Sequence, residues 1–206
     1  MYELENFYFN DHIDLIVETV DKIEPNEVTV LVGPNGYGKS LLRKILQQNE
    51  RLDKIASTSM ERRTVPNHDF SALASLAIDD PETATSNASF KLVEALVKSS
   101  GIRYYVLDEP EIGMGKEAVL GLANWINTKV EELKQKNEWR GLLLISHSDF
   151  LIGNVKHDKF IDLGGHETFE EWKNREIKPI DPDALRKWCI EMWKAIKKRI
   201  QEGKGK

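Results

Sequence analysis

The sequence has almost no cysteine, since Cys189 is the only one among 206 residues. A single thiol excludes an intrachain disulfide framework and a cysteine-rich zinc site, and it is typical of a reducing compartment. The chain also lacks any apolar run close to the ~20 residues that span a bilayer. Its start has neither a basic segment nor an apolar core, so we expect no signal peptide. These absences predict a cytoplasmic protein without a membrane span.

No internal repeat, low-complexity block or glycine/serine-rich linker divides the chain. A length of 206 residues suits one domain and is short for two, so we expect residues 1–206 to form a single domain. Asp181 and Pro182 are typical of a helix start, and they predict a C-terminal helix over about residues 182–201 with a basic tail to residue 206. The apolar positions of that helix, which we expect to be core, are Leu185, Trp188, Met192, Ile196 and Ile200.

The charge of the chain is unevenly distributed. The net charge is −5, yet residues 186–206 contain eight basic and two acidic residues and carry +6. The remaining residues therefore carry −11, which argues against extensive electrostatic wrapping of nucleic acid. The basic tail leaves three alternatives open: contact with nucleic acid, contact with an acidic partner, or a solvated helix end.

Short apolar runs alternate with helical patterns along the chain. The strands predicted from these runs are Glu27–Val32, Arg103–Leu107, Gly141–Ile145 and Lys159–Leu163, and a long helix is predicted over Glu117–Lys136. Near-continuous apolar strands that alternate with helices predict an α/β fold, a mostly parallel sheet flanked by helices. Ligands bind such sheets beyond the carboxyl ends of the strands.

A glycine-rich segment follows the first predicted strand and precedes a helical pattern. It fits the phosphate-loop pattern G-x-x-x-x-G-K-[ST] in the strand–helix context that the pattern requires. Glycines let the backbone N–H groups point at phosphate oxygens, the lysine supplies charge for the β and γ phosphates, and the serine hydroxyl ligates Mg²⁺. The segment therefore predicts binding of a nucleoside triphosphate with Mg²⁺ by Gly33, Pro34, Asn35, Gly36, Tyr37, Gly38, Lys39 and Ser40.

Polar residues follow two further predicted strands. Asp108 and Glu109 come at the end of one strand, where an aspartate can hold Mg²⁺ and a glutamate can orient and deprotonate a water molecule. His147 follows the next strand, within reach of a γ-phosphate or of Glu109 if the strand ends share an edge. The alternatives are a solvated turn before Pro110 and a structural histidine. The other four histidines show no metal-ligand spacing.

The three segments GPNGYGKS, YYVLDEPE and LLLISHSD, in this order, resemble the Walker A, Walker B and switch-histidine motifs of ABC-type P-loop ATPases. The resemblance covers residues 28–149 and is closer to the SMC, RecF and OLD-like ATPases than to transporter subunits. It implies that ATP is the nucleotide, that Ser40 and Asp108 hold Mg²⁺, and that Glu109 is the base. It further implies that His147 senses or stabilises the γ-phosphate and that ATP drives two nucleotide domains together.

The sequence departs from that family at several points. No LSGGQ signature and no glutamine at a plausible Q-loop position are present, and only 68 positions separate Ser40 from Asp108. These features predict an armless form with an abbreviated helical subdomain. Residues 85–89 (TSNAS) lie where a degenerate signature would fall, although a plain helix N-cap explains Ser86 and Ser89 equally well. The aromatic residues 7–9 are candidates for stacking on adenine.

The functional expectation is an ATP-hydrolysing switch that forms an ATP-dependent homodimer or a complex with an effector in DNA repair, recombination or defence. Two alternatives stay open: a nucleotide-gated binding module with little turnover, and the ATP-binding subunit of a transporter. The missing Q-loop glutamine and signature count against the transporter subunit, which couples through the helical subdomain. The presence of Glu109 and His147 counts against a module without turnover.

Overall fold

The computed structural model describes residues 9–34, 37–46, 55–59 and 103–176, with isolated residues elsewhere, and most side chains from residue 14 onward. Within these residues the chain alternates helices and strands, as the apolar pattern predicts. The elements are α1 (Phe9–Lys22), β1 (Val28–Val32), α2 (Lys39–Leu46), β2 (Ile55–Ser59), β3 (Tyr104–Asp108), α3 (Lys116–Gln135), β4 (Leu142–Ile145), α4 (Asp149–Asn154), β5 (Lys159–Asp162) and α5 (Phe169–Lys173).

The five strands form one sheet in the order β2-β3-β4-β1-β5, and every neighbouring pair is parallel. The prediction of an α/β fold with a parallel sheet is therefore confirmed. The strand β4 lies between β1 and β3, with Leu31 of β1 and Asp108 of β3 both opposite Ile145. Because the strands are parallel, the segments that follow β3, β4 and β1 emerge side by side at one edge of the sheet.

Helices cover both faces of the sheet, and the side chains of each strand alternate between two cores. Residues Leu142 and Leu144 of β4 pack with the buried face of α3, whereas Leu143 and Ile145 pack with α1 and α2. The apolar spacing of α3 explains its orientation, because its buried residues recur every three or four positions and form one stripe. They are Val119, Leu122, Ala123, Ile126 and Val130.

The strand and helix boundaries lie within one residue of those predicted from the sequence, with β3 extended to Asp108 and β5 ending at Asp162. Of the predicted C-terminal helix, the described residues 183, 186–187, 190–191 and 194 have helical backbone and are exposed, Ile190 included. The five positions predicted to be core lie outside the described residues. The predicted helical subdomain falls between β2 and β3, also outside the described residues except residues 93–94. In the part of the chain that the structure describes, no helix is long and apolar enough to cross a membrane.

Candidate functional site

The loop after β1 folds back on the first residue of α2. The ammonium of Lys39 donates to the carbonyl oxygens of Gly33 at 2.9 Å and of Pro34 at 3.0 Å, so the lysine closes the loop over its own backbone. Gly33 has a φ of 152°, and a Cβ atom there would lie 2.9 Å from Cβ of Leu163. Only glycine fits this close approach between the loop and the turn after β5.

Lys39 is mostly buried, with 8% of the residue exposed, and three carboxylates act on the charge of its ammonium group. Burial lowers the pKa of Lys39 to about 8, and the carboxylates of Glu109, Asp108 and Asp162 oppose that shift. The Lys39 ammonium is therefore a buried cation that donates to two carbonyl oxygens. Phosphate oxygens can replace these two acceptors.

Asp108 ends β3 at the same edge of the sheet and has only 9% of its surface exposed. Its carboxylate oxygen Oδ2 lies 3.5 Å from Nη1 of Arg43, which lies one helical turn beyond Lys39 on α2. Such a buried carboxylate requires a cation nearby, and here the guanidinium supplies it.

Glu109 adopts a left-handed backbone conformation, with a φ of 52°. For a residue with a side chain, this conformation costs about 1–3 kcal/mol and is concentrated at functional sites. The backbone N–H of Glu109 donates to the carbonyl of Ile145 at 2.8 Å, which fixes the strained residue against the end of β4. In this conformation the Glu109 carboxylate contacts His147 in the loop that follows β4.

The side chains of Glu109 and His147 meet across the two strand ends. Oε1 of Glu109 lies 3.1 Å from Nε2 of His147, and this hydrogen bond is the main cause of a lowered pKa of Glu109. His147 belongs to the exposed residues, with 37% of its side chain accessible. The pair is therefore accessible from outside while its backbone is anchored in the sheet.

A second contact joins the same two loops below this pair. The hydroxyl of Ser146, which is fully buried, donates to Oε1 of Glu111 and accepts from the backbone N–H of Ser148 at 2.9 Å. Burial is the main cause of a raised pKa of Glu111, and the hydrogen bond from Ser146 opposes that shift. Ser148 then caps α4 by accepting from the N–H of Leu151 at 3.1 Å. These bonds fix the backbone on both sides of His147.

The last residue of β5 contributes a carboxylate that the motifs do not indicate. Asp162 has a side chain with 1% exposure, accepts from the N–H of Gly164 at 2.8 Å, and pairs with Nδ1 of His166. Because β5 lies beside β1, the negative charge of this carboxylate acts on Lys39 and opposes the lowering of the lysine pKa. The signal in the sequence was the position of Asp162 at the end of an apolar strand, the same signal that identified Asp108.

Most of the residues singled out in the sequence come together at this edge. Lys39, Asp108, Glu109 and His147 lie at the ends of adjacent strands or at the start of α2, and Ser40 is exposed beside Lys39. Asn35 and Gly36 of the predicted phosphate loop, residues 85–89, and the side chains of residues 7–9 lie outside what the structure describes. Arg43, Glu111, Ser146 and Asp162 belong to the site, and the sequence reasoning missed all four.

The donor set fits a phosphate chain with a divalent cation. Lys39 and the N-terminal end of α2 offer positive charge and N–H groups, and Ser40 and Asp108 offer the oxygen ligands that Mg²⁺ prefers. Within the described residues, no group of three or more His, Cys, Asp and Glu side chains forms a complete metal site. A cation at Asp108 would therefore complete its shell with oxygens from Ser40, water and a ligand.

Comparison of the sequence with models of known protein families and with curated proteins found no match.

Proposed function

We propose that this chain is a Mg²⁺-dependent P-loop ATPase of the ABC type that binds and hydrolyses ATP. In this proposal it acts as a nucleotide-driven switch for an effector, of the kind that serves DNA repair, recombination or defence. The single observation that carries the proposal is the meeting of Lys39, Asp108 and the Glu109–His147 pair at one edge of a parallel sheet.

The proposed binding step uses the charges around the loop after β1. Phosphate oxygens replace the carbonyl oxygens of Gly33 and Pro34 as acceptors for the Lys39 ammonium. The N-terminal end of α2 adds its unpaired N–H groups and the positive end of its dipole. Ser40 and Asp108 hold Mg²⁺, which neutralises charge on the β and γ phosphates when it is bound.

The proposed hydrolytic step uses the strained glutamate. Glu109 accepts a proton from the water molecule that attacks the γ-phosphate, while the bond to the β–γ bridging oxygen breaks and ADP leaves. The hydrogen bond from His147 lowers the pKa of Glu109 and so weakens it as a base until that bond is released. Nε2 of His147 lies 3.1 Å from Oε1 of Glu109, so the histidine must either release this oxygen or share the carboxylate with the attacking water molecule. The Ser146–Glu111 hydrogen bond holds the two loops at a fixed separation while these side chains move.

The same pair favours a second candidate function, a nucleotide-gated binding module with little turnover. In the described conformation the Glu109 carboxylate is already engaged by His147, and a base that stays engaged would deprotonate water slowly. ATP would then be retained and the bound state would be long-lived. The two candidates share the binding step and differ in the rate of the hydrolytic step.

The test is ATP hydrolysis by the wild-type chain and by Glu109→Gln. The substitution removes the basic oxygen while it preserves size and polarity, so we expect turnover to fall by at least about 100-fold with ATP binding retained. Glu117→Gln, at an exposed position on α3, is the matched control and should hydrolyse ATP at the wild-type rate. Turnover well above background that is equal in wild type and Glu109→Gln would contradict the role of Glu109. Wild-type turnover near background with ATP retained would favour the second candidate.

A further inference from the structure

Arg43 is a buried cation on the helix that begins at the phosphate loop. It lies four residues after Lys39, so the two side chains share one face of α2 at successive turns. Its side chain is 5% exposed, although the neighbouring buried positions of the helix, Leu42 and Leu46, are apolar. Long charged side chains are almost never this buried without a partner.

Asp108 provides a partner for Arg43 at the site of proposed metal binding. Nη1 of Arg43 lies 3.5 Å from Oδ2 of Asp108, whose side chain is 11% exposed. A guanidinium keeps its charge under ordinary conditions, so Asp108 has a buried positive charge beside it in the described structure, although Nη1 makes no hydrogen bond. A divalent cation that approaches Asp108 meets this positive charge at short range in a poorly screened position.

Glu109 and Asp162 add negative charge near Lys39, yet they do not make Asp108 part of a complete metal site. No group of three or more metal-ligating side chains surrounds Asp108 within the described residues. Mg²⁺ at such a site relies on a few protein oxygens and on oxygens from a phosphorylated ligand. The negative charge of a triphosphate can compensate for the guanidinium, whereas water ligands cannot.

We propose that Arg43 is the counter-ion of Asp108 in the nucleotide-free protein and that it keeps divalent cations off this carboxylate until phosphate oxygens arrive. This inference deepens the proposed function, since the role of Asp108 as a metal ligand belongs to that proposal. Arg43 acts through the Asp108 carboxylate, so it is a positioning residue. The consequence is an order of binding in which metal follows or accompanies the nucleotide.

The test measures Mn²⁺ binding to nucleotide-free protein by electron paramagnetic resonance. We expect Arg43→Met to bind Mn²⁺ at least tenfold more tightly than wild type, because the competing charge is gone. Arg43→Lys keeps the charge and should stay as weak as wild type. The double variant Arg43→Met, Asp108→Asn should lose the gain, which assigns the new site to the Asp108 carboxylate. Equal Mn²⁺ affinity in wild type and folded Arg43→Met would overturn the proposal.

A comparison without any Arg43 variant covers the case in which Arg43→Met does not fold. Wild type and Asp108→Asn should then bind Mn²⁺ equally weakly, since Arg43 already occupies the wild-type carboxylate. Nucleotide-free wild type that binds Mn²⁺ through Asp108, and loses that binding in Asp108→Asn, would overturn the proposal.

ATP binding to wild type separates this inference from the proposed function. A gain of Mn²⁺ binding in Arg43→Met together with no ATP binding in wild type would reject the ATPase and leave the Arg43–Asp108 competition established. ATP binding in wild type with no change of Mn²⁺ affinity in Arg43→Met would support nucleotide binding and overturn the Arg43–Asp108 competition.

Discussion

Lys39 is the residue whose charge state is most tightly linked to the proposed ligand. Its pKa falls to about 8 from an ordinary value of 10.5 because the ammonium is buried, so the nucleotide-free protein loses this charge as the pH rises through 8. Phosphates bind the protonated form, and the fraction protonated falls about tenfold between pH 7 and pH 9. We therefore expect ATP affinity to fall by about tenfold over that range, measured by equilibrium titration.

Lys39→Arg is the control for this pH dependence, because a guanidinium stays charged throughout the range. The variant is expected to bind ATP less well than wild type at pH 7, since a planar guanidinium does not fit the two carbonyl oxygens as an ammonium does. Its affinity should nevertheless be nearly constant between pH 7 and pH 9. A decrease of equal size in both proteins would assign the titration to a group other than Lys39.

At the scale of single residues, local patterns predicted part of the site and tertiary contacts determined the rest. Asp108 and Glu109 were predicted because they follow an apolar strand. Glu111 and Ser146 are 35 positions apart, and only the pairing of β3 with β4 brings them together. Arg43 carried a usable signal, since a spacing of four from Lys39 puts both side chains on one helix face.

At the scale of elements, Gly141 makes the entry into β4 possible. It has a φ of 121°, and a Cβ atom there would lie 2.4 Å from Cε2 of the buried Tyr104 on β3. We expect Gly141→Ala to destabilise the protein by about 2 kcal/mol or more, from combined backbone strain and overpacking. The measurement is the free energy of unfolding from urea titration followed by circular dichroism.

Gly121 on α3 provides the matched glycine-to-alanine control. Gly121 is exposed on the helix, and a Cβ atom added there would meet no neighbouring group within 4 Å in the described part of the chain. Gly121→Ala should therefore stabilise the protein by about 0.5–1 kcal/mol through helix propensity. Equal stability of the two variants would contradict the close packing of Gly141 against Tyr104.

The elements that the sequence predicted are those with strong apolar patterns. β1, β3 and β4 are buried along their whole length, and their apolar runs identified them. The strand β2, with the sequence IASTS, lies at the edge of the sheet and has too few apolar residues to be distinguished from a loop. The helix α1 carries an amphipathic pattern through Ile16 and Val20 that continues to Ile23 just after the helix, so the sequence contains a signal for this helix.

At the scale of the whole molecule, the two cores explain why a site at the sheet edge can be both strained and stable. Apolar side chains on both faces fix the ends of β1, β3 and β4 in register. The loops that follow these strands therefore start from fixed positions. The proposed dimer or effector complex has a different basis. It depends on the resemblance to ABC-type ATPases, in which a second domain completes the nucleotide site.

The most direct test of the central claim is light scattering of Glu109→Gln after gel filtration with Mg-ATP, with the nucleotide in the protein peak quantified. We predict about one ATP retained per chain, with a doubled mass if the partner is a second copy and an unchanged mass if it is an effector. The same experiment on Lys39→Ala should yield protein without nucleotide. A folded Glu109→Gln protein that retains no ATP would contradict the account.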